Sequence, residues 1–202
     1  MTDTTEEQFF LLLDPEWLPE DEEDVPPFEA VVGMWPLDAD GSPGRFRSNP
    51  EYRPVTDNSP SDPIDALLRL AMRGDAEIEQ LQLVLRDCLM DQAMNGDGRP
   101  LIVRFDDHPC AIVATSTPHR DRIASPDWRR AGLDEVVAAL ADGTDLLFNP
   151  GGPAAVRLTG DFVRATVTMD EDELAGARAT FRRDGGLDGG TGEDTRGRAD
   201  AG

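Results

Sequence analysis

Asp145-Leu-Leu-Phe-Asn-Pro-Gly-Gly-Pro153 is the stretch from which the fold is read most directly. Leu146, Leu147 and Phe148 form a short apolar run bounded by Asp145 and by Asn149-Pro-Gly-Gly, the pattern of a buried strand entering a tight turn. Upstream, Leu133, Val136, Val137 and Leu140 recur at three- and four-residue steps, which predicts an amphipathic helix over 133–141. Gly143 supplies the stop, because a residue without Cβ takes positive φ without steric cost. Downstream, Ala155-Val-Arg-Leu-Thr159 alternates as a returning strand. Helix, strand, turn and strand make one packing unit.

Working outward, Leu101–Phe105 and Ala111–Thr115 predict a hairpin around Asp106-Asp-His-Pro109. Between this hairpin and the central helix, Ser125-Pro-Asp-Trp128 reads as the start of a short helix. Beyond the unit, Phe162–Thr168 reads as a last strand and residues 169–183 as a terminal helix. Nearer the N-terminus, Asp62 is placed to cap a helix, with Pro63 at its first position and Asp65 at its third, near the positive end of the dipole. Ile64, Leu67, Leu68 and Ala71 form its apolar face, and Gly74 ends it. A second helix is expected over 76–86, after which periodicity leaves 88–94 open between helix and strand. Phe9–Leu13 is expected as an edge strand, Ala30–Trp35 as a strand, and Phe46–Tyr52 as an irregular returning arm.

The expected organisation is an acidic, proline-rich arm over residues 1–27, one α+β domain over 28–168, the terminal helix, and a disordered tail over 184–202. The domain should carry a mixed or antiparallel sheet with helices packed against it. The tail is mostly Gly, Asp, Thr and Arg and lacks the apolar area needed to offset the entropy of ordering.

A formal net charge of −22, with Lys absent and every basic residue an Arg, repels phosphate backbones and argues against nucleic-acid binding. It favours a basic protein partner. No apolar run approaches the ~20 residues that span a bilayer, so membrane insertion is not expected. Glu6 and Glu7 precede Phe9–Leu13 where a signal peptide would carry positive charge, and the expected location is cytoplasmic. In that compartment Cys88 and Cys110 are expected as reduced, packed thiols.

Asp106, Asp107, His108, Cys110 and His119 are the one short segment with the residue types of a metal site, and the alternative reading of the chain is a small-molecule-binding or metal-dependent enzyme using this 106–119 cluster. Only one of them is a Cys, however, and an extended 111–115 carries His119 away from His108. Cys110 enters an apolar strand amid acidic residues, the wrong setting for an activated thiolate. Asn149-Pro-Gly-Gly-Pro153 lacks the Gly-Lys-Ser/Thr ending of a phosphate loop. The sequence thus assigns no catalytic residue, no cofactor and no metal. The acidic arm, where Trp17 and Leu18 precede Glu20, Asp21, Glu22, Glu23 and Asp24, reads first as a solvated linker, and it is the candidate contact if the chain works by docking.

The order of weak motifs resembles the SseB amino-terminal-domain family. Pro100-Leu-Ile-Val-Arg-Phe, Ala111-Ile-Val-Ala-Thr-Ser-Thr, Trp128, Leu133-Asp-Glu-Val and Leu146-Leu-Phe-Asn-Pro-Gly carry that likeness. The first half is similar to a bacterial branch, the type VII (ESX) secretion system-associated proteins. Here the motifs are Asp14-Pro-Glu-Trp17, Val31-Val-Gly-Met-Trp35, Gly44-Arg-Phe, Asn49-Pro-Glu-Tyr52 and Ser59-Pro-Ser-Asp-Pro-Ile-Asp-Ala66. The resemblance implies a non-catalytic α+β accessory protein of secretion machinery that acts by protein–protein binding. One departure is Ala114, where the wider family often has an aromatic residue before Thr-Ser.

Overall fold

The structure, a computed structural model, describes residues 7–21 and 23–181. The expected tail and Glu22 of the acidic arm therefore lie outside the described residues.

The chain is α+β, with two sheets sharing one core. Strand β1 (Phe9–Leu13) pairs antiparallel with β2 (Val31–Pro36), which pairs with the short β3 (Arg47–Ser48). The first part of the acidic arm is thus built into a sheet. Gly33 of β2 has no room for a side chain, because a Cβ there would run into Cζ of Phe46 and stand 2.8 Å from the Arg47 carbonyl. Helices α1 (Pro63–Arg73) and α2 (Ile78–Asp87) follow, packed against each other and against this sheet.

Next come β4 (Met90–Met94), β5 (Ile102–Phe105), β6 (His108–Ala114), the short α3 (Thr117–Arg120), β7 (Asp127–Ala131), α4 (Leu133–Ala138), β8 (Asp145–Phe148) and β9 (Val156–Leu158). Their strands form a mixed sheet of order β7-β4-β6-β8-β9, with β5 joined to β6. Among the described residues only β6 and β8 run parallel. The β8 run is buried throughout, and Phe148 joins Leu67 and Leu68 of α1, Leu85 of α2 and Val113 of β6 in the core. Asn149 has φ 49° and Gly151 φ 77°, so the turn after β8 uses the left-handed backbone that Asn and Gly tolerate best.

Three local readings are corrected. Residues 162–168 are not a strand but most of α5 (Gly160–Thr168), started by Thr159, whose Oγ1 accepts from the Phe162 amide at 3.2 Å. Val163 and Thr166 fall on its buried face, so these β-branched residues are helix core contacts. After Ser125 the chain forms β7 instead of a helix, paired with β4 along its whole length from Met90↔Ala131 to Met94↔Asp127. Ser125 does not cap; its Oγ donates to the Met94 and Asp127 carbonyls. The hairpin turn is tighter than expected, because Asp106 and Asp107 alone take positive φ and His108 already belongs to β6. The chain ends its described part in α6 (Glu171–Ala179), which begins in a reciprocal cap between Asp170 and Glu173 and sends Ala177 into the core, followed there by Phe181. Among the described residues no helix is long and apolar enough to cross a membrane.

Candidate functional site

The structure does not gather Asp106, Asp107, His108, Cys110 and His119 into one site. His108 opens β6 beside the Asp106-Asp107 turn, whereas His119 lies in α3 past its far end, about 20 Å of extended strand away. Cys110 is fully buried and its thiol donates to the His108 carbonyl; burial pushes its pKa up, away from the thiolate. Cys88 is likewise raised, to about 12, by burial.

His119 instead meets the first turn of α1. Its Nε2 is 3.2 Å from Asp65 Oδ2, off the line of a good hydrogen bond, and one oxygen or nitrogen from each of Asp62, Asp65 and His119 fits within 4.8 Å. Helix geometry explains half of this: Asp62 caps α1 by accepting from the Asp65 amide at 3.0 Å, which turns both carboxylates toward one place. The β6–α3 corner supplies the rest. Thr115 Oγ1 donates to Asp62 Oδ2 at 2.6 Å, and Ser116 Oγ shares a 2.7 Å hydrogen bond with Ser61 Oγ. The turn after β8 closes the third side. Asn149 Oδ1 accepts from the Thr115 amide at 3.0 Å, its Nδ2 donates to Thr115 Oγ1, and Gly152 lies against the His119 ring. Thr115-Ser116 and Asn149-Pro150-Gly151, two motifs far apart in the chain, are thus partners in one buried network.

These groups could ligate a cation by type, but their oxygens are largely committed. Arg69 spans both oxygens of Asp65, at 3.1 and 2.9 Å, and also donates to the Asn58 carbonyl. Burial pushes Asp65 up, yet the contact with His119, the Arg69 guanidinium and the Ser61 amide outweigh it and hold its pKa below the ordinary range. Asp62 goes the other way, raised by burial against the Thr115 and Asp65 hydrogen bonds. A cation here would have to displace a fixed guanidinium. Neither serine hydroxyl bonds to His119, so no activated nucleophile is assembled. The arrangement is a joint that fastens α1 to the mixed sheet.

The acidic arm builds a different feature. Asp24 Oδ2 accepts from the amides of Glu20 and Asp21, at 2.7 and 2.9 Å, folding this part of the arm into a turn. Trp17 is half-buried and lines a groove of about 470 Å³ beside β1, with Leu11, Leu13, Leu70 and Phe181 also on its walls. Leu18 is 79% exposed and Val25 85%, so the arm shows apolar side chains among its carboxylates. Glu16 is held by Arg73 at 3.0 Å, while Glu20, Asp21, Glu23 and Asp24 are exposed. Of the expected docking residues, the structure therefore puts Trp17 on the groove wall and Leu18 in solvent, and the described carboxylates lie beside them in sequence. Sequence reading missed the groove itself, since α1 and Phe181 approach β1 only in the fold.

A second cleft, of about 550 Å³, is more polar, and its arginines are already engaged. Arg45 pairs with Asp87 at 3.0 Å, and Arg86 donates to the Thr166 and Val167 carbonyls.

Comparison with protein-family models, with curated proteins and with solved structures finds no match.

Proposed function

We propose that this chain is a non-catalytic accessory protein of a type VII secretion system, working in the cytoplasm by binding another protein. The observation that carries the binding role is the groove beside β1, where Trp17 and Leu11 offer apolar contact next to an exposed acidic turn. Apolar anchors beside one sign of charge suit protein docking: the anchors supply affinity and the charges speed encounter. The tie to secretion machinery rests on the order of motifs that resembles the SseB-like, ESX-associated proteins.

A second reading, a metal-dependent enzyme, is favoured by one observation, the convergence of Asp62, Asp65 and His119. Of the 106–119 segment it keeps His119 alone and takes its other two groups from the start of α1. Zinc quantification on the purified chain separates the two, since stoichiometric metal abolished by His119→Ala supports the enzyme.

Binding is tested by coprecipitation from a lysate of cells with a type VII system. The unaltered chain should retain a component of that system. A variant with Trp17→Ala and neutral residues at 20–24 should lose it. Retention of the same proteins by both would contradict the proposal.

A further inference from the structure

Residues 10–13 of β1 line one side of the groove. Gln8 accepts from the Leu37 amide at 2.8 Å, and the register Phe9↔Pro36, Phe10↔Trp35, Leu11↔Met34 then continues without a break to Leu12. In an antiparallel pair, alternate residues turn their amide and carbonyl toward the partner strand. Residues 8, 10 and 12 therefore serve β2, and Phe9 and Leu11 turn theirs outward. Pro36, which has no amide to give, stands opposite Phe9, as this phase requires. Among the described residues β1 pairs with β2 alone, so its outer edge is open. Natural sheets blunt such edges with prolines or inward charges, yet β1 is Phe-Phe-Leu-Leu-Leu.

We infer that β1 takes an added strand from a basic partner, laid antiparallel or parallel along its open edge and roofed by α1 and Trp17. This deepens the binding role proposed above and rests on it. Backbone hydrogen bonds to Phe9 and Leu11 would fix the strand, and alternate apolar side chains would fill the groove against Leu70 and Phe181. Charge selects the occupant. The groove is bordered by Asp75 and by Trp17, which the acidic turn held by Asp24 follows in the chain, while the neighbouring Arg73 is paired with Glu16. A second copy of this chain would bring the same acidic border and another net −22, so electrostatics opposes self-pairing. A strand with Arg or Lys on its outer face and Val or Leu on its inner face meets both demands.

The test uses the full chain and three fluorescent peptides: an alternating Arg/Val strand-former, its Glu/Val counterpart, and an Arg/Leu peptide with helical spacing. Anisotropy at low and at physiological salt should show binding of the first alone, weakening several-fold as salt rises. Leu11→Pro removes one outward amide without touching the β2 ladder, and Leu11→Arg places a cation at the edge; each should lower affinity at least tenfold with the far-UV spectrum and melting temperature retained. Equal binding of the helical peptide, or binding unaffected by both Leu11 variants, overturns strand addition. Concentration-dependent dimerisation that Leu11→Arg abolishes would make a second copy the occupant and also overturns it. Should a partner coprecipitate with the Leu11 variants as well as with the unaltered chain, protein binding survives and only the strand mechanism falls.

Discussion

Gly152 lies directly against the ring of His119. A Cβ built on Gly152 would stand 2.9 Å from Nδ1 and 3.1 Å from Cε1, with the Asn149 carbonyl at 3.0 Å on another side. The glycine is there because the imidazole fills the space under the turn. Gly152→Ala should cost ~1–3 kcal/mol by overpacking. Part of that loss should disappear when it is combined with His119→Ala, since removing the ring leaves only the carbonyl contact. Urea denaturation of the two single variants and the double variant measures the coupling. Strict additivity would mean the ring and the glycine do not constrain each other.

Asp65 and Asp62 should oppose each other in pH dependence. Asp65 is held below its ordinary value, so its contribution is present above the unfolded carboxylate range of ~3.9 and is lost as pH falls through the lower folded value. Asp62 is raised, so its ionisation weakens the fold as pH rises through its folded value. Asp65→Asn strands the buried Arg69 and should cost ~3–5 kcal/mol near neutral pH, with a shallower acid limb. Asp62→Asn keeps a competent cap and should cost far less. Denaturation midpoints from pH 3 to pH 8 check the pair; equal losses in both variants would contradict this account.

Phe148 is fully buried at the end of β8, within the shared core. Phe148→Ala should destabilise by ~3–5 kcal/mol, much of what an average domain possesses. Loss of near-UV ellipticity with far-UV signal kept would mark the expected molten state. A variant as stable as the parent would place the core elsewhere.

The elements legible in the sequence were those with local signals. The Asp62 cap, the β8 run and its Asn-Pro-Gly-Gly turn each act within a few residues, and the structure has them where expected, whereas α4 already ends at Ala138 and Gly143, at φ 71°, lies in the loop beyond instead of stopping the helix. Misreadings arose where distant contacts decide. Residues 127–131 are a strand because β4 offers an edge, and nothing local in Ser125-Pro-Asp-Trp128 announces it. For α5 a local signal is present in Thr159, which caps it, and Asp161 in its first turn, although 162–168 reads as a strand. The joint around His119 unites residues 54 positions apart in Asp65 and His119, a proximity that no spacing rule reveals. The acidic arm was legible by composition; its Asp24-capped turn and the groove beside it were not.

The arm's charges should matter to encounter and little to folding. Replacing Glu20, Asp21, Glu22 and Glu23 with Ser, while leaving Asp24 to cap the turn, should keep the melting temperature within error. The same variant should associate more slowly with a basic peptide and lose most of its salt response. A large drop in melting temperature would show that these side chains hold the fold.

The central claim is that the β1 edge and the arm form the docking surface, and amide hydrogen exchange on the full chain, free and bound to its coprecipitated partner, tests it most directly. The account predicts that binding slows exchange at Phe9 and Leu11, whose amides face outward, and across 17–24, while Phe10 and Leu12, already bonded to β2, change little. Protection confined to other surfaces, with residues 9–24 exchanging as in the free chain, would contradict it.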